Sequence, residues 1–452
     1  MAKSQPHAVP DCITIAVVLY SLVVIHKRRW YQGGNPDMAA QPGVHRSASF
    51  SRFTDELFKH LPRADQRRWA HAYVQGLLTT SGKKTVRRMA AAVTDSSTAA
   101  QALHQFINAS PWEWAPIHTE LMQWAECRTR PRAWTIAPVV LPKRGEQSCG
   151  VHRRFVPHAG RTVNCQVGIG IFLSSDTGDV LVAWSMLLPE EWSDAERRQR
   201  ARIPSDAMAT AECVLDLANG LAQRAAHGPM PVVADVTGYL DTSALIHGLG
   251  ERGHDFVVAV PDNLMVQPGS HLAARQCADG APVPSARFIA ERVGHAPQSA
   301  GAPDGFRPYP TGLVYLPRGH AQPGLPRTYR LFAQPDDGQG RPGGLWLTNM
   351  TTQPLGELRA LVDGQAATAA AVGRMERDFG LRDFEGRSYP GWHHHMTLIS
   401  AAFTYDRLAA HQEVCHIRGF TPEHGTDPNE PGEPARPFHQ QAPSPRYHHR
   451  AA

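Results

Sequence analysis

The sequence predicts an α/β protein in which a mixed sheet is flanked by helices, preceded by an all-helical region and interrupted by a β-rich insertion. Trp69, Tyr73 and Leu77 recur at four-residue spacing, which places them on one face of a helix. Apolar runs between residues 133 and 188 have the composition of strands. Residues 231–260 read as strand, helix and strand, a succession that implies a parallel crossover unit.

The helical pattern covers residues 50–128, and Pro62 stands where a proline can begin a helix. Four cations lie close together in this region: Lys83, Lys84, Arg87 and Arg88. On one or two helical turns they would form a local positive surface that could contact phosphates. The alternative interpretation is an ordinary solvated helix face.

Three β-rich runs follow, at residues 133–136, 162–173 and 179–188. The second and third are joined by a short polar turn at residues 174–178, so we expect the sheet to begin with antiparallel strands. Residues 208–226 then read as a helix.

Asp235 ends the apolar run 231–236, which reads as a buried strand. The carboxyl end of a strand is where open α/β sheets place groups that contact ligands. The alternative is that Asp235 caps the helix that follows, which runs through Leu249 to the next strand at residues 255–260.

Residues 262–350 are rich in Gly and Pro, with predicted strands at 312–316, 328–333 and 344–347, and we interpret them as a β-rich insertion. Helical patterns return at residues 355–379 and 392–408. The segment 413–452 has no usable periodicity and is predicted to be disordered.

The composition sets broad limits. A net charge of +5 over 452 residues is compatible with an anionic partner such as DNA but does not require one. The seven cysteines are scattered and never form a C-x-x-C pair, so neither a disulfide framework nor a zinc site is indicated, and the cytoplasm is the expected compartment.

An apolar run at Cys12–Ile25 has 14 residues, whereas a membrane-spanning helix needs roughly 20. We therefore expect no membrane partner. Residues 1–45 are interpreted as an extension that is either disordered or the product of a mis-assigned start, with Met38 as the alternative first residue.

Three segments in this order carry a resemblance to a known family: LPKRGEQSCGVHRRFVPHAGRTVNCQVGIGIFL at 141–173, VVADVTGYLD at 232–241 and FEGRSYPGWHHHMTL at 384–398. They resemble the blocks around the active site of insertion-sequence DDE transposases, also called DDE superfamily endonucleases, and the similarity extends from Phe53 to Leu408.

The resemblance implies the following domain organisation. A helical DNA-binding domain occupies residues 46–130, and an RNase H-like domain occupies 131–261 and 351–412 on either side of the insertion. Double-stranded DNA is the implied partner, a homodimer is compatible with the family, and such a protein would be associated with the nucleoid.

The chemistry of this family needs three carboxylates that hold two divalent ions, such as Mg²⁺, about 4 Å apart. The resemblance places the second carboxylate at Asp235, which is present. The first position is occupied by Ala137 and Pro138, and the third falls on Ala369. Neutral aliphatic side chains cannot replace oxygen ligands of Mg²⁺.

Other carboxylates keep an alternative open. If the helix that carries the third carboxylate position is misplaced by one turn, Glu376 or Asp378 could serve as a metal ligand. Glu146 is the first carboxylate after Pro138 and is a further alternative. The sequence therefore leaves two functions open. One is an active, metal-dependent transposase that cleaves DNA and transfers strands. The other is a catalytically degenerate DNA-binding protein, either domesticated or decaying.

Further residues could hold the DNA backbone beside this site: Lys143, Arg144, Arg153, Arg154 and Arg387. A solvated basic face is the alternative for them. His393, His394 and His395 are consecutive at the start of a predicted helix. Their side chains would spread over about 200° around the helix axis, so they cannot all ligate one metal ion.

Overall fold

The computed structural model describes residues 42–205, 207, 210–269, 285–294, 311–317, 327–334 and 343–411. The predicted disordered tail at 413–452, the apolar run at Cys12–Ile25 and nearly all of the N-terminal extension lie outside these residues. Among the described helices, none combines the length and apolarity that a bilayer span needs.

The first part of the described chain is helical, as the spacing of its apolar residues predicts. Its helices are α1 (Pro42–Leu57), α2 (Ala64–Thr79), α3 (Val86–Val93), α4 (Ala99–Asn108) and α5 (Ala115–Glu126). Local signals set the ends of some of them. The Thr85 side chain caps α3 by accepting a hydrogen bond from the Arg88 backbone, and a proline stands in the first turn of α5.

In the part of the chain that the structure describes, ten strands form one sheet. They are β1 (Pro131–Pro142), β2 (His152–Val156), β3 (Arg161–Ser175), β4 (Val180–Met186), β5 (Val232–Ala234), β6 (Phe256–Val260), β7 (Gln267–Pro268), β8 (Thr311–Tyr315), β9 (Thr328–Ala333) and β10 (Leu345–Thr348). The short basic strand β2 was not predicted, because HRRFV shows no apolar alternation.

The first half of the sheet has the strand order β4-β3-β1-β5-β6. β3 is antiparallel to β1 and β4, whereas β5 is parallel to β1 and β6. β2 pairs with the end of β3 that extends beyond β4. This is the RNase H-like mixed sheet that the resemblance predicts.

The strands between residues 267 and 348 continue the same sheet instead of forming a separate layer. β10 is antiparallel to β6, with Leu345 opposite Val260, and β9, β8 and β7 follow in order. This pairing joins segments more than 80 residues apart, so local periodicity could not reveal it.

The remaining helices are α6 (Ala195–Ala201), α7 (Thr210–Arg224), α8 (Thr242–Glu251), α9 (Ala286–Gly294), α10 (Leu355–Asp363), α11 (Gln365–Asp378) and α12 (Tyr389–Leu408). A single helix was predicted over residues 355–379. The structure has two, which meet at Gly364, a residue type with low helix propensity.

Helix α12 lies at the centre of the molecule. It packs against β4 and against helices α2, α4 and α5, and almost every residue along it is buried. A helix that is buried on all sides needs few exposed polar residues, and the sequence of α12 agrees. One hydrophobic cluster therefore includes side chains of α1–α5, the sheet and α12.

Candidate active site

Asp235 directly follows the buried strand β5. In the parallel pairing of β1 with β5, Thr135 is opposite Val233 and Ile136 is opposite Ala234. One further step along both strands brings Ala137 level with Asp235. Because side chains alternate along a strand, the two residues face the same side of the sheet. Ala137 therefore stands where a carboxylate would have to lie in order to share a metal ion with Asp235.

Asp235 is exposed, and its Oδ1 accepts a hydrogen bond from the Thr237 backbone N–H at 3.2 Å. It does not cap the following helix. Asp241 does so, by accepting hydrogen bonds from the backbone N–H groups of Ser243 and Ala244. The carboxylate of Asp235 is thus available to a ligand, and the capping interpretation of Asp235 is wrong.

Helix α11 packs on β1 through Ala371 and Met375, whereas Ala369 is exposed. The two acidic residues considered as replacements on this helix have basic partners. Glu376 Oε1 lies 2.7 Å from Arg382 Nη2, and Asp378 Oδ2 lies 3.8 Å from Arg374 Nε. Each of these carboxylates therefore has an arginine as its neighbour in this structure and is not placed beside Asp235 as a metal ligand.

Among the residues that the structure describes, the side chains around Asp235 do not provide the ligands that a pair of divalent ions requires. Within the described ranges, no group of three or more His, Cys, Asp or Glu side chains is arranged to hold a metal ion. Mg²⁺ is bound through carboxylate and other oxygen ligands in octahedral geometry. A single carboxylate beside the methyl group of Ala137 does not fit a pair of such ions.

Arg154 contacts the loop after Asp235. Its Nη2 donates a hydrogen bond to the Gly238 carbonyl oxygen, and its guanidinium lies over the Tyr239 ring, 4.4 Å from the ring centroid. Gly238 has a φ of 77°, which a residue with a side chain rarely adopts, so this turn favours glycine. Strand β2 is in this way joined to the loop that carries Asp235.

The basic cluster at the start of α3 is only partly exposed. Lys83 Nζ lies 2.9 Å from Glu385 Oε1 at the surface. Lys84 is buried; its ammonium donates to the Thr80 carbonyl oxygen, and burial lowers its pKa. In this conformation the Lys84 ammonium is directed to the protein backbone. Arg87 and Arg88 are both exposed, and Arg88 donates to the Ser81 carbonyl oxygen at 2.8 Å.

The other residues predicted to contact DNA also differ in their exposure to solvent. Lys143 is half-buried and donates to the Phe384 carbonyl oxygen at 2.7 Å, and burial lowers its pKa. Arg144, Arg153 and Arg387 are exposed. The structure brings Arg144 and Arg153 to the region of β2 and leaves them accessible to a partner.

The three consecutive histidines of α12 contact three different neighbours. The His393 ring stacks on Trp114 with centroids 4.5 Å apart, and His395 Nδ1 lies 2.9 Å from the Tyr73 hydroxyl. Both ring nitrogens of His394 lie 2.9 Å from carbonyl oxygens, those of Ile107 and Trp112. Their directions agree with the expectation that they do not share one metal ion.

His118 on α5 was not singled out from the sequence, yet it belongs with these histidines. Its Nε2 lies 3.0 Å from the Thr397 hydroxyl of α12, and burial lowers its pKa to about 3. A lone histidine in a helical pattern carries no signal of such a contact, because the partner is 279 residues away in the chain.

Comparison with known proteins gives a family. No curated protein matches the chain. Among solved structures, the cryo-EM structure of a piggyBac transposase synaptic complex with hairpin DNA matches at 9% identity and a TM-score of 0.40, covering 81% of this chain and 73% of that chain. A family model described as DDE superfamily endonuclease matches residues 56–308. Because this match spans more than half of the sequence and includes both Ala137 and Asp235, the chain belongs to the DDE superfamily endonucleases.

Proposed function

We propose that this protein is a DNA-binding member of the DDE superfamily that does not cleave DNA by the two-metal mechanism. The observation that carries the proposal is the pairing of Ile136 with Ala234 on the parallel strands, from which Ala137 and Asp235, one residue further along, lie level with each other. A methyl group there supplies no ligand atom where the mechanism needs a carboxylate.

Charge supports the same conclusion. Two divalent ions would bring four positive charges to a site where Asp235 supplies one negative charge. The uncompensated repulsion between two such ions about 4 Å apart is large even in a solvated site. The adjacent guanidinium of Arg154 adds a further positive charge.

DNA binding is proposed on the basis of the family and the exposed cations. The side chains of Arg87, Arg144, Arg153 and Arg387 are exposed, and arginine binds phosphate through several N–H groups at once. Double-stranded DNA is the proposed partner, and a nucleoid-associated, cytoplasmic location would follow from it. A homodimer stays a prediction.

The test combines binding with cleavage. The protein would be mixed with DNA that flanks its gene, in Mg²⁺ or Mn²⁺, and analysed by gel shift and for strand cleavage. We expect binding that weakens with salt and no cleavage. Asp235→Ala and Asp255→Ala are matched variants, because both residues are exposed and flank parallel strands at opposite ends.

Two outcomes would contradict the proposal. Cleavage that is lost in Asp235→Ala and kept in Asp255→Ala would establish an active transposase. If it were also lost in Glu376→Gln, Glu376 would have left Arg382 to complete the site. The absence of any binding to DNA would reject the DNA-binding role itself.

A further inference from the structure

We infer that strand β2 presents Phe155 as a stacking surface for an unpaired nucleobase, so that the DNA bound by this protein contains unpaired bases. This inference rests on the proposed DNA binding and specifies the class of DNA. It begins from Phe155, whose side chain is 59% exposed, more than that of any other large hydrophobic residue in the described part of the chain.

The two faces of β2 differ. Val156 is buried, and Arg154, on the same face, is held by the Gly238 carbonyl oxygen and the Tyr239 ring. Arg153 and Phe155 alternate with these residues and are exposed. Phe155 is thus fixed on a paired strand, opposite Thr162 of β3, and its ring has few conformations to lose when it binds a partner.

Single exposed hydrophobic residues are common on soluble proteins, so exposure alone does not identify a partner. The charge of the segment that carries Phe155 is the second observation. Residues 143–161 contain one carboxylate, that of Glu146, and five cations, of which Arg144, Arg153 and Arg161 are exposed, Lys143 is half-buried and Arg154 lies on the opposite face of β2. An aromatic ring among cations matches a nucleic acid, whose bases stack and whose phosphates are anionic.

The same surroundings argue against an apolar protein partner. The neighbours of Phe155 on its exposed face, Arg153 and Thr162, are polar. A protein interface would need a larger apolar patch centred on the phenyl ring. The ring and its cations are suited to a partner that alternates flat apolar faces with negative charge.

The base must be unpaired, because a duplex exposes the edges of its bases and hides their faces in the stack. Arg154, the residue before Phe155, joins β2 to the loop after Asp235. It does so on the other face of the strand, so a base stacked on Phe155 would lie across β2 from this contact.

Three fluorescent DNAs of the same sequence would test the inference: a fully paired duplex, the duplex with a four-nucleotide single-stranded tail, and the single strand. Anisotropy titrations with the full chain should show that the tailed duplex binds roughly 5- to 150-fold more tightly than the paired duplex, the range expected for stacking of one base. Phe155→Ala should abolish this difference and leave duplex affinity unchanged, whereas Phe155→Trp should keep it.

Phe288→Ala is the matched control, because Phe288 is another exposed phenylalanine, 44% accessible, on α9. Arg153→Ala should weaken binding to all three DNAs. Circular dichroism and light scattering would confirm that each variant keeps its fold and oligomeric state.

The inference is overturned if the wild-type protein binds the tailed and paired duplexes equally, or if Phe155→Ala leaves the preference intact. It is also overturned if Phe155→Ala changes the oligomeric state, since Phe155 would then belong to an interface between proteins. Failure of the proposed function is distinguishable, because the wild-type protein would then bind none of the three DNAs.

Discussion

Polar residues are exposed at the end of strand β5 and buried in the first half of helix α12. At the end of β5, Asp235 is exposed and accepts one hydrogen bond from a backbone N–H. At α12, the histidine interface, which we define as His118, His393, His394 and His395, is buried between α12 and the N-terminal helices.

Under the proposed function, this difference would explain how a DDE fold keeps its scaffold without its chemistry. The exposed carboxylate contributes little to packing, so alanine at the positions of its proposed partners would leave the scaffold unaffected. The buried histidines hold α12 against the helices that precede the sheet, and their loss would disturb the scaffold itself. The segment with Asp235 and the segment with the three histidines both resemble the family. The first carries an exposed carboxylate, and the second holds the scaffold together.

The largest expected effect is a loss of stability in acid. Burial lowers the pKa of His118 and His395 to about 3 and that of His394 to about 4, and it also lowers the pKa of His393. The unfolded chain, with histidine pKa values near 6.5, binds these protons more readily. The folded state is therefore most stable well above pH 6.5, and stability is lost as the pH falls through 6.5 towards the folded pKa values of about 3 to 4, at about 1.4 kcal/mol per pH unit for each histidine.

Urea unfolding at pH 7.5, 6 and 5 would measure this loss. His395→Asn should make the free energy of unfolding less dependent on pH, because one proton fewer is taken up on unfolding. A free energy of unfolding that stays constant from pH 7.5 to 5 would show that these histidines are not buried in solution.

Removal of one histidine should have the next largest effect. His394→Ala removes a ring that stacks on Trp112 with centroids 3.8 Å apart, and because a neutral imidazole carries one N–H, it leaves one of two buried carbonyl oxygens without a donor. We expect the free energy of unfolding to fall by about 3 kcal/mol. His104→Ala, at an exposed position of α4, should change it by less than about 0.5 kcal/mol. Equal effects of the two substitutions would show that the buried His394 contributes no more to stability than the exposed His104.

A new carboxylate in the middle of β1 should have a smaller effect, which a metal ion should reverse. Ala137→Asp would place a second negative charge beside Asp235, at the spacing of about 4.8 Å between neighbouring strands. Repulsion should lower the free energy of unfolding by about 1 kcal/mol, and Mn²⁺ should restore it by binding both carboxylates.

Thermal unfolding with and without Mn²⁺ would test this prediction, with Ala366→Asp, at an exposed position of α11, as the control. If Mn²⁺ raised the Tm of the wild-type protein as much as that of Ala137→Asp, other carboxylates would already complete the site.

The smallest effect is expected at Asp235 itself. Asp235→Ala removes one exposed hydrogen bond and should change the free energy of unfolding by less than about 0.5 kcal/mol. Asp241→Ala, which removes the cap of α8, should cost about 1 kcal/mol. Chemical denaturation of both variants measures the difference, and a larger loss at Asp235 would show that this carboxylate has a structural role.

Helices and strands that depend on the spacing of nearby apolar residues could be predicted from the sequence. Apolar spacing predicted the N-terminal helices, and the run at 231–236 predicted the strand that ends at Asp235. Strand β2 escaped prediction because HRRFV has no alternation, yet it pairs with β3 and carries Phe155. The burial of Lys84 was also missed, since it depends on a backbone N–H contact of 2.7 Å with Asp383, about 300 residues away.

The sequence alone determined which chemical groups the protein possesses. It has a carboxylate at 235, a methyl group at 137, three consecutive histidines and a basic segment around Phe155. Only the tertiary structure decided that Ala137 lies level with Asp235, that the histidines are buried and that Phe155 is exposed. The reason is physical: the identity of a side chain is covalent, whereas its burial and its neighbours depend on packing between segments that are distant in the chain.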